Sequence, residues 1–86
     1  MTSAALAHEE AWTEYRGYQY RARALLFPDC VGFTATVDIG APFPKILIDR
    51  SGEYFTSVYS AEAAAREYID RFGYGRYSDV KHYAVL

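Results

Sequence analysis

Histidine, cysteine and paired carboxylates are the residue types that could support catalysis or metal binding in this chain of 86 residues. The two histidines, His8 and His82, lie near opposite ends of the sequence, and no carboxylate or thiol stands at metal-ligand spacing from either. Cys30 is the single cysteine, and the charge of neighbouring Asp29 disfavours the thiolate that a nucleophile requires. We therefore predict that the protein is not an enzyme and has no metal site and no cofactor.

A second possible chemistry is phosphate binding by Arg21, Arg23 and Lys45, which the pattern places on the polar side of a sheet. Tyr18 and Tyr20 would then stack on unpaired bases. However, these tyrosines alternate with the two arginines, so rings and cations project from opposite faces. The net charge of −2 also argues against nucleic acid as the main partner. A sequence-tolerant binder of single-stranded nucleic acid is thus the alternative hypothesis.

Tyrosine is the residue type that most favours an interaction role, with nine copies in 86 residues. Tyrosine rings provide contact area at small entropic cost, and their hydroxyl groups tolerate partial exposure. We predict an interaction surface in the C-terminal tail, formed by Tyr74, Arg76, Tyr77 and Tyr83. The alternative is that this tail folds back and covers the sheet. The main hypothesis is a non-catalytic protein-interaction module that binds an unknown protein or a second copy of itself.

An antiparallel sheet over residues 17–59 must position these groups, because side chains there alternate between apolar and polar. Turn residues such as Pro28 and Gly52 separate the apolar runs. In the third strand we expect Ile46 and Ile48 to face the core. The predicted strands are 17–27, 31–39, 45–49 and 53–59.

One amphipathic helix is predicted over residues 60–72, with Ser60 as its N-cap and Gly73 as its C-cap. Glu62 in the first turn would be stabilised by the helix dipole. Two pairs spaced four residues apart, Glu62 with Arg66 and Glu67 with Arg71, are expected on the solvent side. The apolar stripe consists of Ala61, Ala64, Ala65, Tyr68, Ile69 and Phe72.

The two ends of the chain complete the predicted architecture. Alanines spaced by three and four residues predict a short N-terminal helix over 3–14. The tail 73–86 is expected to begin as a loop and to add a possible fifth strand over 80–86. The whole chain, 1–86, is then a single α+β domain: an antiparallel meander of four or five strands with one main helix on one face.

Two stretches carry a resemblance to known groups of proteins. Residues 15–20 (YRGYQY) and 60–70 (SAEAAAREYID) resemble a group of short uncharacterised proteobacterial proteins, a likeness that implies no activity. Residues 52–63, in which GEYFT leads into a helix rich in glutamate and alanine, are similar to the N-terminal domain of HicB-type antitoxins. Such antitoxins bind a partner protein and DNA, and this second resemblance implies only the binding of a partner protein.

The sequence also bears on compartment. A lone cysteine cannot form an intrachain disulfide, which favours a reducing interior. The first ten residues carry acidic rather than basic charge, and the longest apolar runs are far shorter than the roughly 20 residues of a membrane helix. We therefore expect a cytoplasmic protein with no membrane partner.

Overall fold

The computed structural model describes residues 5–40, 44–74 and 83–85, with residues 72–74 described by their backbone alone. Neighbouring strands pair antiparallel in one six-stranded sheet of order β1-β3-β4-β5-β6, and β2 pairs with the first half of β3. The predicted α+β class is therefore confirmed. The elements are β1 (Ala5–Glu9), β2 (Thr13–Tyr15), β3 (Tyr18–Leu26), β4 (Val31–Asp38), β5 (Lys45–Asp49), α1 (Val58–Tyr74) and β6 (Tyr83–Val85).

The N-terminal segment forms strands, so the predicted helix over 3–14 is wrong. A two-residue turn joins β2 to β3, with φ of 51° at Arg16 and 87° at Gly17. Positive φ at both positions is typical of the hairpin turn whose twist matches paired strands, and glycine adopts it without steric cost. The turn directs the preceding chain back along β3, where backbone pairing outweighs the helix propensity of a thin alanine stripe.

The side chains of strand β4 point to the sides of the sheet that the alternation predicts, whereas those of β5 point to the opposite sides. Ala35 and Val37 of β4 are fully buried under α1. Leu47 lies directly opposite Ala35 and is 0% exposed, while Ile46 lies opposite Thr36 on the other side of the sheet. The prediction that Ile46 and Ile48 face the main core is therefore wrong. Apolar residues occupy both sides of β5, so its register with β4, and not its own pattern, decides which side packs against α1.

No fourth strand spans residues 53–59, contrary to the prediction. Phe55 makes an isolated bridge with Phe33, and the helix begins soon afterwards, at Val58. Ser57, and not Ser60, provides the cap: its hydroxyl oxygen accepts the Ser60 N–H at 3.1 Å. This earlier start removes the acidic residue from the first turn of α1, because position 62 now lies one turn further in.

Helix α1 packs on one face of the sheet through small side chains. Ala61, Ala64, Ala65 and Ile69 are all fully buried, as the stripe predicts. The lack of bulk on three of them lets the helix backbone approach the sheet closely. The helix also continues past the predicted C-cap at Gly73, to Tyr74.

Polar contacts fix α1 against the β2–β3 hairpin. The hydroxyl of Tyr15 donates to the carboxylate of Asp70 at 3.1 Å, and Arg16 pairs with the same carboxylate at 3.0 Å. Of the two predicted pairs on α1, Glu67 with Arg71 is confirmed at 3.2 Å. Arg66 instead donates to the hydroxyl of Tyr20 at 3.0 Å.

The described part of the tail confirms a further strand: Tyr83–Val85 pairs with β5 as β6. The rest of the predicted loop and strand, residues 75–82 and 86, lies outside the described residues.

Candidate interaction surface

The side of the sheet that does not carry α1, here called the distal face, holds two of the three cations predicted to contact phosphate. Arg21 lies opposite Thr36 and Arg23 opposite Thr34 on this face. Lys45 lies opposite Val37, a fully buried core residue, and direct cross-strand partners share a face. Lys45 is therefore on the helix side, and the structure does not bring the three cations together.

Glu9 of β1 pairs with both arginines of the distal face. One of its oxygens lies 2.9 Å from Nη1 of Arg21, and the other contacts Nε of Arg23. The guanidinium of Arg21 also stacks on the ring of Trp12, 4.2 Å from its centroid. These groups are only partly exposed, with side-chain exposures of 19% for Arg21 and 29% for Glu9. The network thus connects β1 and the segment after it to β3.

Two polar atoms in and beside this network have no hydrogen-bond partner among the described residues. Nε of Arg21 and the hydroxyl of the adjacent Thr36 are buried and make no hydrogen bond with any described residue. Such atoms cost about 1 to 3 kcal/mol each when removed from water unpaired. Glu9 therefore does not satisfy the full hydrogen-bonding capacity of the cluster.

Tyr83, one of the four residues predicted to form an interaction surface in the tail, is buried in the structure. Its side chain is 6% exposed, and its ring packs edge-on against Tyr68 with centroids 5.5 Å apart. Tyr83 therefore belongs to the core and does not offer its ring to a partner. The side chain of Tyr74, together with Arg76 and Tyr77, lies outside the described residues.

Burial has an electrostatic consequence for Tyr83. It raises the pKa of the phenol above the usual value of 10.0, and the nearby charge of Glu67 acts in the same direction, against the opposing effect of Arg71. The Tyr83 phenol therefore keeps its proton in the folded chain at pH values where it loses that proton in the unfolded chain. The stabilisation from a neutral Tyr83 is complete below pH 10 and is lost as the pH rises through the raised value.

We expect the free energy of unfolding of the Tyr83→Phe variant to fall less steeply than that of the wild type between about pH 9 and pH 11. Urea denaturation at several pH values measures this difference. Tyr59→Phe is the matched control, because it removes the same hydroxyl group from a side chain that is 79% exposed. Parallel curves for wild type and Tyr83→Phe would contradict the account.

An apolar row crosses three neighbouring strands at one end of the sheet. Ala5 of β1 lies opposite Leu26 of β3, which lies opposite Val31 of β4. The row continues the helix-bearing face beyond Phe33, and the side chains of Leu26 and Val31 are 51% and 47% exposed. On the distal face at the same end, Leu6 is 56% exposed. We call this region, formed by Ala5, Leu6, Leu26 and Val31, the apolar end.

The other end of the sheet carries a shallow groove of about 280 Å³. Its charged groups are Glu14 and Asp38, one on either side of Gln19. Asp38 also accepts the backbone N–H of Gly40 at 3.0 Å, which fixes the turn after β4. The groove thus presents carboxylates, and its described lining residues include no histidine or thiol; they are Glu14, Gly17, Tyr18, Gln19, Asp38, Ile39 and Gly40.

Comparison with family models, curated proteins and solved structures finds no match to this chain. The site must therefore be interpreted from its own geometry. Within residues 5–40, 44–74 and 83–85, no three histidine, cysteine, aspartate or glutamate side chains gather into a potential metal site. Cys30 is free and exposed in the turn between β3 and β4. In the same part of the chain, no helix has the length and apolar character that crossing a bilayer requires.

Several residues of these surfaces were not singled out by the sequence pattern. Glu9 and Trp12 fell within the predicted N-terminal helix, and Leu26 and Val31 counted as ordinary strand positions. The signal for the strand pairing was present in the Arg16-Gly17 turn, since a glycine between two alternating runs favours a hairpin. Nothing in the sequence pattern shows that the side chains of Leu26 and Val31 stay about half exposed.

Proposed function

We propose that this chain is a non-catalytic protein-interaction module that uses no cofactor and binds another protein, or a second copy of itself, through the apolar end. The observation that carries the proposal is the exposed row of Leu26 and Val31, with Ala5 beside it. The free thiol of Cys30 supports a reducing compartment, and we place the protein in the cytoplasm.

The apolar end has the composition of an interface core. The side chains of Leu26, Val31 and Leu6 are each about half exposed although they are among the most apolar in the chain. Adjacent exposed apolar groups that rim a sheet mark contact sites more often than isolated ones do. Covering them removes apolar area from water, which stabilises a complex by about 25 cal/mol per Å² before the costs of association.

Nucleic-acid binding has weaker support than protein binding. It requires Arg21, Arg23 and Lys45 on one surface, yet Lys45 lies on the helix side of the sheet. The two arginines already pair with Glu9, which reduces the charge available to phosphate groups.

The double variant Leu26→Lys/Val31→Lys tests the proposal. Immobilised wild-type chain should retain a defined protein from the lysate of its native host, or light scattering should give a mass above one chain at micromolar concentration. Either behaviour should be lost in the double variant, because two ammonium groups would have to be desolvated in the interface.

Ala63→Lys is the matched control, since Ala63 is exposed on α1 and the same charge is added away from the apolar end. It should bind as the wild type does. Circular dichroism establishes that all three proteins are folded. A wild type that is strictly monomeric and retains no partner, or a double variant that binds as well as Ala63→Lys, would overturn the proposal.

A further inference from the structure

The side chains of strand β1, apart from that of Glu9, bury little surface against the rest of the molecule. The four residues from Ala5 to His8 are all exposed, and only Glu9 is partly buried. A bulge between Leu6 and His8 also interrupts the pairing of β1 with β3. Because such an edge strand buries little apolar surface, its release costs little hydrophobic stabilisation.

Strand β2 is anchored independently of β1. Tyr15 packs against the core and donates to the carboxylate of Asp70, so β2 is tied to α1. Three residues, 10–12, separate the two strands, and β2 pairs with a different part of β3. β1 can therefore leave β3 while the hairpin of β2 and β3 stays in place.

Release of β1 exposes a strand edge beside two guanidinium groups. Arg21 and Arg23 carry two positive charges, of which Glu9 neutralises one. Because Glu9 leaves with β1, both guanidinium groups then lose the carboxylate that pairs with them in the free protein. The cluster therefore favours a ligand that brings a carboxylate.

We propose that the edge of β3 from Arg23 to Leu26 is a strand-docking site that β1 fills in the free protein. Its occupant in a complex is an extended segment of a partner protein that carries a carboxylate at the position of Glu9 and an apolar side chain at the position of Leu6. Main-chain hydrogen bonds to β3 would supply affinity, and the arginine pair would select the acidic residue. This inference rests on the proposed function and names the chemistry of the partner.

The probe is a fluorescent peptide with the sequence of residues 3–12, which reproduces β1. Anisotropy should show that it binds the Glu9→Ala variant of the full chain about tenfold more tightly than the wild type, because the internal carboxylate no longer competes. Glu14→Ala is the matched control: its carboxylate is exposed on β2, and its loss should leave peptide affinity at the wild-type value. A peptide with glutamine in place of Glu9 should bind Glu9→Ala about tenfold more weakly than the acidic peptide.

Hydrogen exchange of the wild type gives a second readout that needs no variant. The amides of β1 that bond to β3 should exchange at least about tenfold faster than those between β3 and β4, since β1 opens locally. Equal protection of the two sets would overturn the proposal. Equal binding of the acidic and glutamine peptides would do so as well.

The remaining outcomes separate this inference from the proposed function. If no peptide binds Glu9→Ala while the wild type still retains a partner through Leu26 and Val31, the docking site is wrong and the interaction module stands. If light scattering instead shows a wild-type dimer that the β1 peptide dissociates, the site belongs to a second copy, and the assignment to a separate partner is wrong.

Discussion

Replacing Leu47 with alanine should lower the free energy of unfolding by about 3 kcal/mol, as is typical of truncating a buried leucine. The Leu47 side chain is 0% exposed on the helix side of β5, opposite Ala35 of β4. Its loss leaves a cavity that neighbouring alanines are too small to fill. A domain of this size has little stability to lose, so the transition midpoint in urea should fall markedly.

Ile46→Ala is the matched control for Leu47→Ala, because it truncates the adjacent residue on the other side of β5. Ile46 is half-buried on the distal face, so we expect its truncation to cost less than half as much as that of Leu47. Urea denaturation followed by circular dichroism measures both values. A larger effect at Ile46 would mean that β5 faces the opposite way, as the sequence pattern alone suggests.

Enlarging Ala65 to leucine should destabilise the fold by about 2 kcal/mol through overpacking. The Ala65 side chain is fully buried where α1 contacts the sheet, so a leucine would force the helix away from β3 and β4. The same change at exposed Ala63 adds a side chain in solvent and should stay within about 0.5 kcal/mol of the wild type.

Thermal unfolding of Ala65→Leu and Ala63→Leu, monitored in parallel, distinguishes packing from helix propensity. Leucine and alanine have similar helix propensities, so a local effect on the helix would be nearly equal at the two positions. Equal melting temperatures for the two variants would show that α1 does not pack closely on the sheet.

The sequence predicts best the elements that have one clearly apolar face. Helix α1 was predicted because its apolar stripe has the helical period, and β4 because it alternates strictly. The predicted N-terminal helix is wrong because a stripe of alanines buries little apolar surface, whereas the turn at Arg16-Gly17 directs the chain into pairing with β3. The predicted orientation of strand β5 is wrong because both of its sides are apolar. Only its register with β4 decides which side packs against α1.

The candidate surfaces were harder to predict than the fold, because they depend on where elements end. Tyr83 was predicted to lie at the surface with the other aromatic residues of the tail. In the structure it belongs to β6 and pairs with Asp49 of β5, which places its ring beside Tyr68 in the core. Leu26 and Val31 are ordinary strand positions in the alternating pattern. In the structure their side chains are 51% and 47% exposed, which alternation alone does not show.

Photo-crosslinking at the apolar end tests the central claim most directly. A photoreactive benzoylphenylalanine in place of Leu26, introduced in cells of the native host, should give a discrete covalent adduct on irradiation. The same group in place of exposed Ala63 should give none. Mass spectrometry of the adduct identifies the bound chain. The absence of an adduct at position 26, or equal adducts at both positions, would contradict the claim that this protein acts by binding another chain through the apolar end.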